Sequence, residues 1–96
     1  MQPQNRIPTH PGEVLLEEFL LPLEMPQVQF ASHLGIPVQR VNEIVHGKGS
    51  VTPETAWLFS QALGTTPEFW LNLQTAHDLA KTRPKRTVTA LVSVSL

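Results

Sequence analysis

The chain has 96 residues, with seven Lys and Arg against eight Asp and Glu, giving a net charge of −1 with neutral histidines. It contains no cysteine, which excludes disulfides and thiolate metal sites. No apolar run approaches the roughly 20 residues of a membrane span, and the polar, proline-rich opening has no secretory pattern, so the sequence reads as a soluble cytoplasmic protein.

Residues 1–9 form a polar N-terminal arm. Pro11 suits the first turn of a helix, with Glu13 placed to favour the helix dipole. Val14, Leu15, Phe19 and Leu20 then make a broad apolar stripe, and Pro22 ends it by removing a backbone donor. Pro26 opens a second helix, with Val28, Phe30, Ala31 and Leu34 as its apolar side. Gly35 stands where a left-handed residue closes a helix. Pro37 starts a third helix, in which Val38, Val41, Ile44 and Val45 recur at three to four residue spacing, and Gly47 stops it. Thr52-Pro53-Glu54 is a start signal: a capping hydroxyl, a proline and an acid in the first turn. Ala56, Phe59, Ala62 and Leu63 give the fourth helix its core face before Gly64. Thr66-Pro67-Glu68 repeats the signal, and Phe69, Trp70, Leu73 and Ala76 line a fifth helix that fades near Lys81.

The tail departs from this pattern. Thr87 to Leu96 alternates and is β-branched, which reads as a short C-terminal strand. Such a strand has no partner within the chain. Either it is disordered or it pairs with the same strand of another copy. The expected architecture is all-α: a five-helix domain over residues 10–82, followed by the tail at 83–96 as a candidate strand.

The stretch from Gln27 to Ile44 carries the functional signal. A short helix, a turn of about three residues beginning at glycine, and a second short helix make a helix-turn-helix unit. Ala31 is small where two helices must approach, Ile36 can plug the corner, and Val41 and Ile44 anchor the second helix. Val38, Gln39, Arg40, Asn42 and Glu43 are left facing outward, where such helices enter the major groove. Arg can bond guanine bidentately, Gln and Asn can bond adenine, Glu can accept from cytosine, and Val can pack on a thymine methyl. Gln27 is placed to contact a phosphate, helped by its helix N-terminus. Lys48 and the backbone of Gly47 to Ser50 can hold another. Arg40 and Gln39 are the leading candidates for base contact, while Glu43 can pair locally instead.

The charge balance argues mildly against nucleic acid, since DNA-binding domains are usually basic. Distribution decides. Glu13, Glu17, Glu18 and Glu24 lie early, Arg40 and Lys48 in the middle, and Lys81, Arg83, Lys85 and Arg86 late, so a locally positive face remains available. His10, His33, His46 and His77 lie too far apart for a zinc motif. No glycine-rich phosphate loop and no nucleophile beside a base is present, so no cofactor, metal or enzymatic activity is expected.

Three segments resemble the HigA-type antitoxins, also called virulence-associated protein I or addiction-module antidote proteins, within the Xre/Cro class of lambda-repressor-like domains. They are Thr9 to Leu15, Asn42 to Lys48 and Gly64 to Gln74, and the resemblance spans roughly Pro8 to Leu79. It implies a homodimeric repressor that binds the double-stranded DNA of its own operator and neutralises a HigB-like toxin, an mRNA endonuclease. It also implies a C-terminal interface, for which Phe69, Trp70 and Leu73 are the candidates. Two departures stand out. Relatives usually carry Gly and Ser where this chain has Glu24 and Pro26, and Gly49 stands where a second basic residue is common. The competing reading is a protein-interaction module with the same fold and little DNA binding.

Overall fold

The imidazole of His10 starts the first helix: its Nδ1 accepts the Gly12 N–H at 2.9 Å. We describe residues 7–92 of a computed structural model. Most of the N-terminal arm and the last four residues of the tail lie outside the described residues.

Helix α1 begins as an α-helix over Pro11–Val14 and continues with π-type turns over Leu15–Leu20. Leu15 and Leu20 are both buried. Five residues apart, they would lie about 140° apart on an α-helix of 3.6 residues per turn. The i→i+5 pattern of a π-helix swings both toward the core. The bond from Leu21 N–H to Leu16 carbonyl, 2.9 Å, is of this kind. Pro22 follows in the turn, and Glu24 closes it with φ 51°.

Four further helices follow: α2 (Gln27–Leu34), α3 (Val38–Val45), α4 (Pro53–Leu63) and α5 (Pro67–Lys81). Their ends follow local chemistry. The hydroxyls of Thr52 and Thr66 accept the N–H groups of Thr55 and Phe69, at 3.4 and 3.1 Å. Gly35 and Gly64 terminate α2 and α4 in the left-handed region, at φ 75° and 73°. Pro26 and Pro37 sit one residue before their helices, in extended geometry.

The core gathers one or more side chains from every helix: Leu15, Leu20, Phe30, Ala31, Val41, Ile44, Ala56, Phe59 and Trp70, with Val51 from the loop before α4. Aromatic rings form its spine. Phe30 lies 5.6 Å from Phe59, and Phe59 lies 5.1 Å edge-on to Trp70. Such tilted and edge-on pairs suit the ring quadrupoles. The buried indole is satisfied, since its Nε1–H donates to Thr65 Oγ1 at 2.7 Å. Val28 is an exception to the expected apolar side of α2, being 66% exposed.

The strand reading of the tail is not met over Thr87–Val92. Among the described residues there is no strand, and residues 83–92 are exposed. An alternating β-branched pattern forms a strand only when another strand supplies its hydrogen bonds, and the five helices offer none.

Candidate nucleic-acid interface

Between α2 and α3 the chain turns on Gly35. Its N–H donates to the carbonyls of Ala31 and Ser32, at 2.9 and 3.2 Å, and the Ile36 N–H donates to Ala31 at 3.1 Å. Ala31 is buried where the two helices meet, and Ile36 is half-buried against the core. Val41 and Ile44 are wholly buried and set the rotation of α3. That rotation leaves Val38, Gln39, Arg40, Asn42 and Glu43 exposed.

The polar ones among them line two adjoining concavities that meet at Glu43. Gln39, Asn42, Glu43, His46 and Lys48 line one shallow concavity. Arg40 lies in the neighbouring concavity, shared with Ser50, Thr52 and Glu54 as well as Glu43. Its guanidinium is 3.7 Å from the Glu54 carboxylate. Both partners are largely exposed, so the pair is weak, about 0–1 kcal/mol. The local pairing considered for Glu43 is thus made by Glu54 with Arg40.

Gln27 joins the two helices of the unit. Its Oε1 accepts from Asn42 Nδ2 at 3.2 Å. Asn42 keeps its Oδ1 and its second N–H for another partner. His46, which the sequence reading passed over, belongs to the same surface: its Nδ1–H donates to the Asn42 carbonyl at 2.8 Å. The signal for it was its place four residues after Asn42, one helical turn on. The end of α3 is closed by the N–H groups of Lys48 and Gly49, which donate to the Glu43 carbonyl at 2.8 and 2.9 Å. Lys48 is thereby anchored by its backbone while its side chain stays exposed. Pro26 makes no side-chain cap on α2, so no capping side chain engages the first N–H groups of that helix.

Comparison with known proteins agrees with this geometry. The helix-turn-helix family model matches residues 16–70. Antitoxin HigA-1 of Vibrio cholerae is 40% identical over 83 residues, covering 86% of this chain and 78% of the relative. The chain belongs to the helix-turn-helix family, in its HigA-type branch. Among solved structures, an addiction module antidote protein of the HigA family from Coxiella burnetii is similar with TM-score 0.74 and 47% identity, covering 79% of this chain and 83% of that one. Antitoxin GraA in complex with its operator is similar with TM-score 0.83 and 37% identity, covering 97% of this chain and all of that one, 100%. The HigA-type branch comprises regulators and carries no enzymatic activity with it. Among the described residues no helix is long and apolar enough to cross a membrane.

In this HigA-type chain the three candidate interface residues on α5 part company. Trp70 is 0% exposed, packed between Phe19, Phe59 and Phe69. It is a core residue and offers no surface to a partner. Phe69 remains exposed and Leu73 half-buried, so that face reduces to these two.

Proposed function

We propose that the chain represses its own operon by binding operator DNA as a homodimer, and acts as the antitoxin of a type II toxin–antitoxin pair by neutralising a HigB-like mRNA endonuclease. One observation carries the DNA half. The concavity on α3 gathers Gln39, Asn42, Glu43 and Lys48 on an uncovered face of the second helix of a helix-turn-helix. In that frame Gln39 and Asn42 address adenine edges and Glu43 a cytosine amino group. Val38 reaches a thymine methyl. Lys48 and Gln27, with the uncapped start of α2, hold phosphates on either side. Arg40 reaches a guanine once it leaves Glu54. Two such helices in a two-fold dimer would stand about 34 Å apart and read a palindrome.

The solved operator complex of GraA, the similar antitoxin, supports this reading. The antitoxin half rests on likeness to the HigA antitoxins. Gel shift against the DNA upstream of the gene tests the first half. A salt-sensitive, sequence-selective shift is expected, and its absence overturns repression. Co-expression with a HigB-like toxin tests the second, with growth arrest relieved only when this chain is present.

The reading as an interaction module without DNA binding has one feature in its favour. Glu43 and Glu54 flank the only arginine of α3 and offset its charge at the proposed groove face. Under that reading Arg40→Ala leaves operon expression and toxin neutralisation unchanged.

A further inference from the structure

An apolar groove runs between α1 and α5. Val14, Phe19, Phe69 and Leu73 line it, together with three carboxylates: Glu13, Glu17 and Glu18. Among the described residues no basic side chain lines it. Phe69 leans its ring on Trp70 at 5.0 Å, yet keeps 39% of its surface exposed. Aromatic surface of this kind, flanked by charge of one sign, is the character of a binding site rather than of a solvated face.

The complementary surface is at the other end of the same chain. Beyond α5 come Arg83, Lys85 and Arg86, then Val88, Leu91 and Val92. The three apolar residues are 80, 98 and 72% exposed. No ion pair involves the three basic ones among the described residues. Each chain thus has an acidic, apolar groove and a basic, then apolar, tail, both left open by the described residues.

We propose that the tail of one copy docks in the α1–α5 groove of a second copy, and that the exchange is reciprocal. Arg83, Lys85 and Arg86 meet the three glutamates, and Val88, Leu91 and Val92 cover Phe69, Leu73 and their neighbours. The placement favours a second copy over the tail's own groove. Phe69 and Leu73 lie in the first half of α5, and the tail leaves its far end. Its own tail would have to double back at once over about 12 Å of helix to Leu73 and about 18 Å to Phe69, at 1.5 Å per residue. With two α5 helices antiparallel, the end of one lies beside the start of the other, and a single two-fold operation fills both grooves. The inference rests on the dimer of the proposed function and supplies its interface.

Sedimentation of the full chain and its variants tests it. Glu17→Lys with Glu18→Lys should weaken dimerisation by about tenfold or more, as like charges set against each other do at interfaces. Arg83→Glu, Lys85→Glu and Arg86→Glu together should weaken it similarly, and so should Leu91→Asp. All these sites are exposed or at the rim, and circular dichroism checks that each variant keeps its helices. The decisive arm combines the glutamate and basic reversals, which should restore the dimer. Reversals that each break the dimer but do not rescue one another overturn the contact. So does a dimer that survives the glutamate reversals, whether or not toxin binding is then lost. A wild-type chain that stays monomeric overturns the dimer reading as well, which separates the two failures.

Discussion

Gly12 and Ile44 meet where α1 crosses the end of α3, so closely that a Cβ on Gly12 would overlap the Ile44 carbonyl oxygen. Both residues are buried. The obstacle is backbone on each side, so neither helix can yield by rotating a side chain. This contact presses α1 against the helix that carries the proposed base readers.

Gly12→Ala should therefore be costly despite its small size. Overpacking typically costs about 1–3 kcal/mol, and a rigid obstacle places this site at the upper end. For a domain of this size each kcal/mol lowers Tm by about 4–8 °C. Thermal melts should show a fall above about 10 °C, and a variant melting within a few degrees of the parent contradicts the close approach.

Glu24 has φ 51°, where a side chain beyond glycine is disfavoured. The left-handed region costs about 1–2 kcal/mol for an L-residue. Part of this gain is lost to the greater freedom of glycine in the unfolded chain, about 0.5–1 kcal/mol. Glu24→Gly should still stabilise by about 0.5–1 kcal/mol, seen as a higher urea midpoint at unchanged m-value. Glu24→Val should move the midpoint the other way, because a β-branched residue fits that region worst.

Gln74 ties α5 to the loop behind α3. Its buried Oε1 accepts the Val51 N–H at 2.8 Å, and its Nε2 donates to Asp78 Oδ1 at 3.0 Å. Gln74→Met keeps most of the volume and leaves the Val51 N–H without a partner. An unmet buried donor costs about 1–3 kcal/mol. Chemical denaturation should show that loss, and hydrogen exchange should show faster exchange of the Val51 amide. A Val51 amide equally protected in the variant rules out the clamp.

The local signals were legible in the sequence because their chemistry is local. Thr52, Thr66, Gly35 and Gly64 act on neighbours a few residues away, and each sits where its capping role places it. What depended on distant partners was not legible. The π-type turns of α1 answer to the core that receives Leu15 and Leu20. In the sequence Trp70 fits the apolar side of α5 and a partner interface equally, and only Phe19 and Phe59 closing over it decide for the core. Gly12 gives no hint of Ile44, more than 30 residues away. The helix-turn-helix itself was plain in the spacing of Ala31, Gly35, Val41 and Ile44. The split of its outward residues into two concavities was not, since it depends on where the loop from Gly47 to Thr52 and the start of α4 lie.

His10 makes the fold sensitive to mild acid. Burial, and next the neighbouring His77, hold its pKa below the ordinary 6.5. The two rings are 4.9 Å apart, edge-on. Asp78 and the backbone of Gly49 pull weakly the other way, and Lys81 adds to the lowering. The neutral ring is also the one whose Nδ1 can accept the Gly12 N–H. The unfolded chain therefore takes up the proton first as pH falls through 6.5. The stabilisation is whole above that value and is lost as pH drops through the lower folded pKa. Melts from about pH 7.5 down to 5.5 should show Tm falling, by the linkage of histidine charge to stability. Asparagine caps a helix without titrating, so His10→Asn should flatten that dependence. An equal slope in the variant would place the sensitivity elsewhere.

Arg40 and Glu54 set the sign of the last test. A guanidinium that reads guanine must first leave its carboxylate, and the pair is weak enough to allow it. Glu54 also places a negative charge where a phosphate would approach. Glu54→Gln should thus tighten operator binding, whereas Arg40→Ala should weaken it by about 1–3 kcal/mol and relax preference at one base pair. Lys48→Ala should weaken all sequences alike and reduce the salt slope by about one. Titrations at two salt concentrations separate these outcomes. If Arg40→Ala behaves like Lys48→Ala, Arg40 holds a phosphate, and reading passes to Gln39 and Asn42. If Glu54→Gln loosens binding, Glu54 is holding Arg40 in its reading position rather than competing for it.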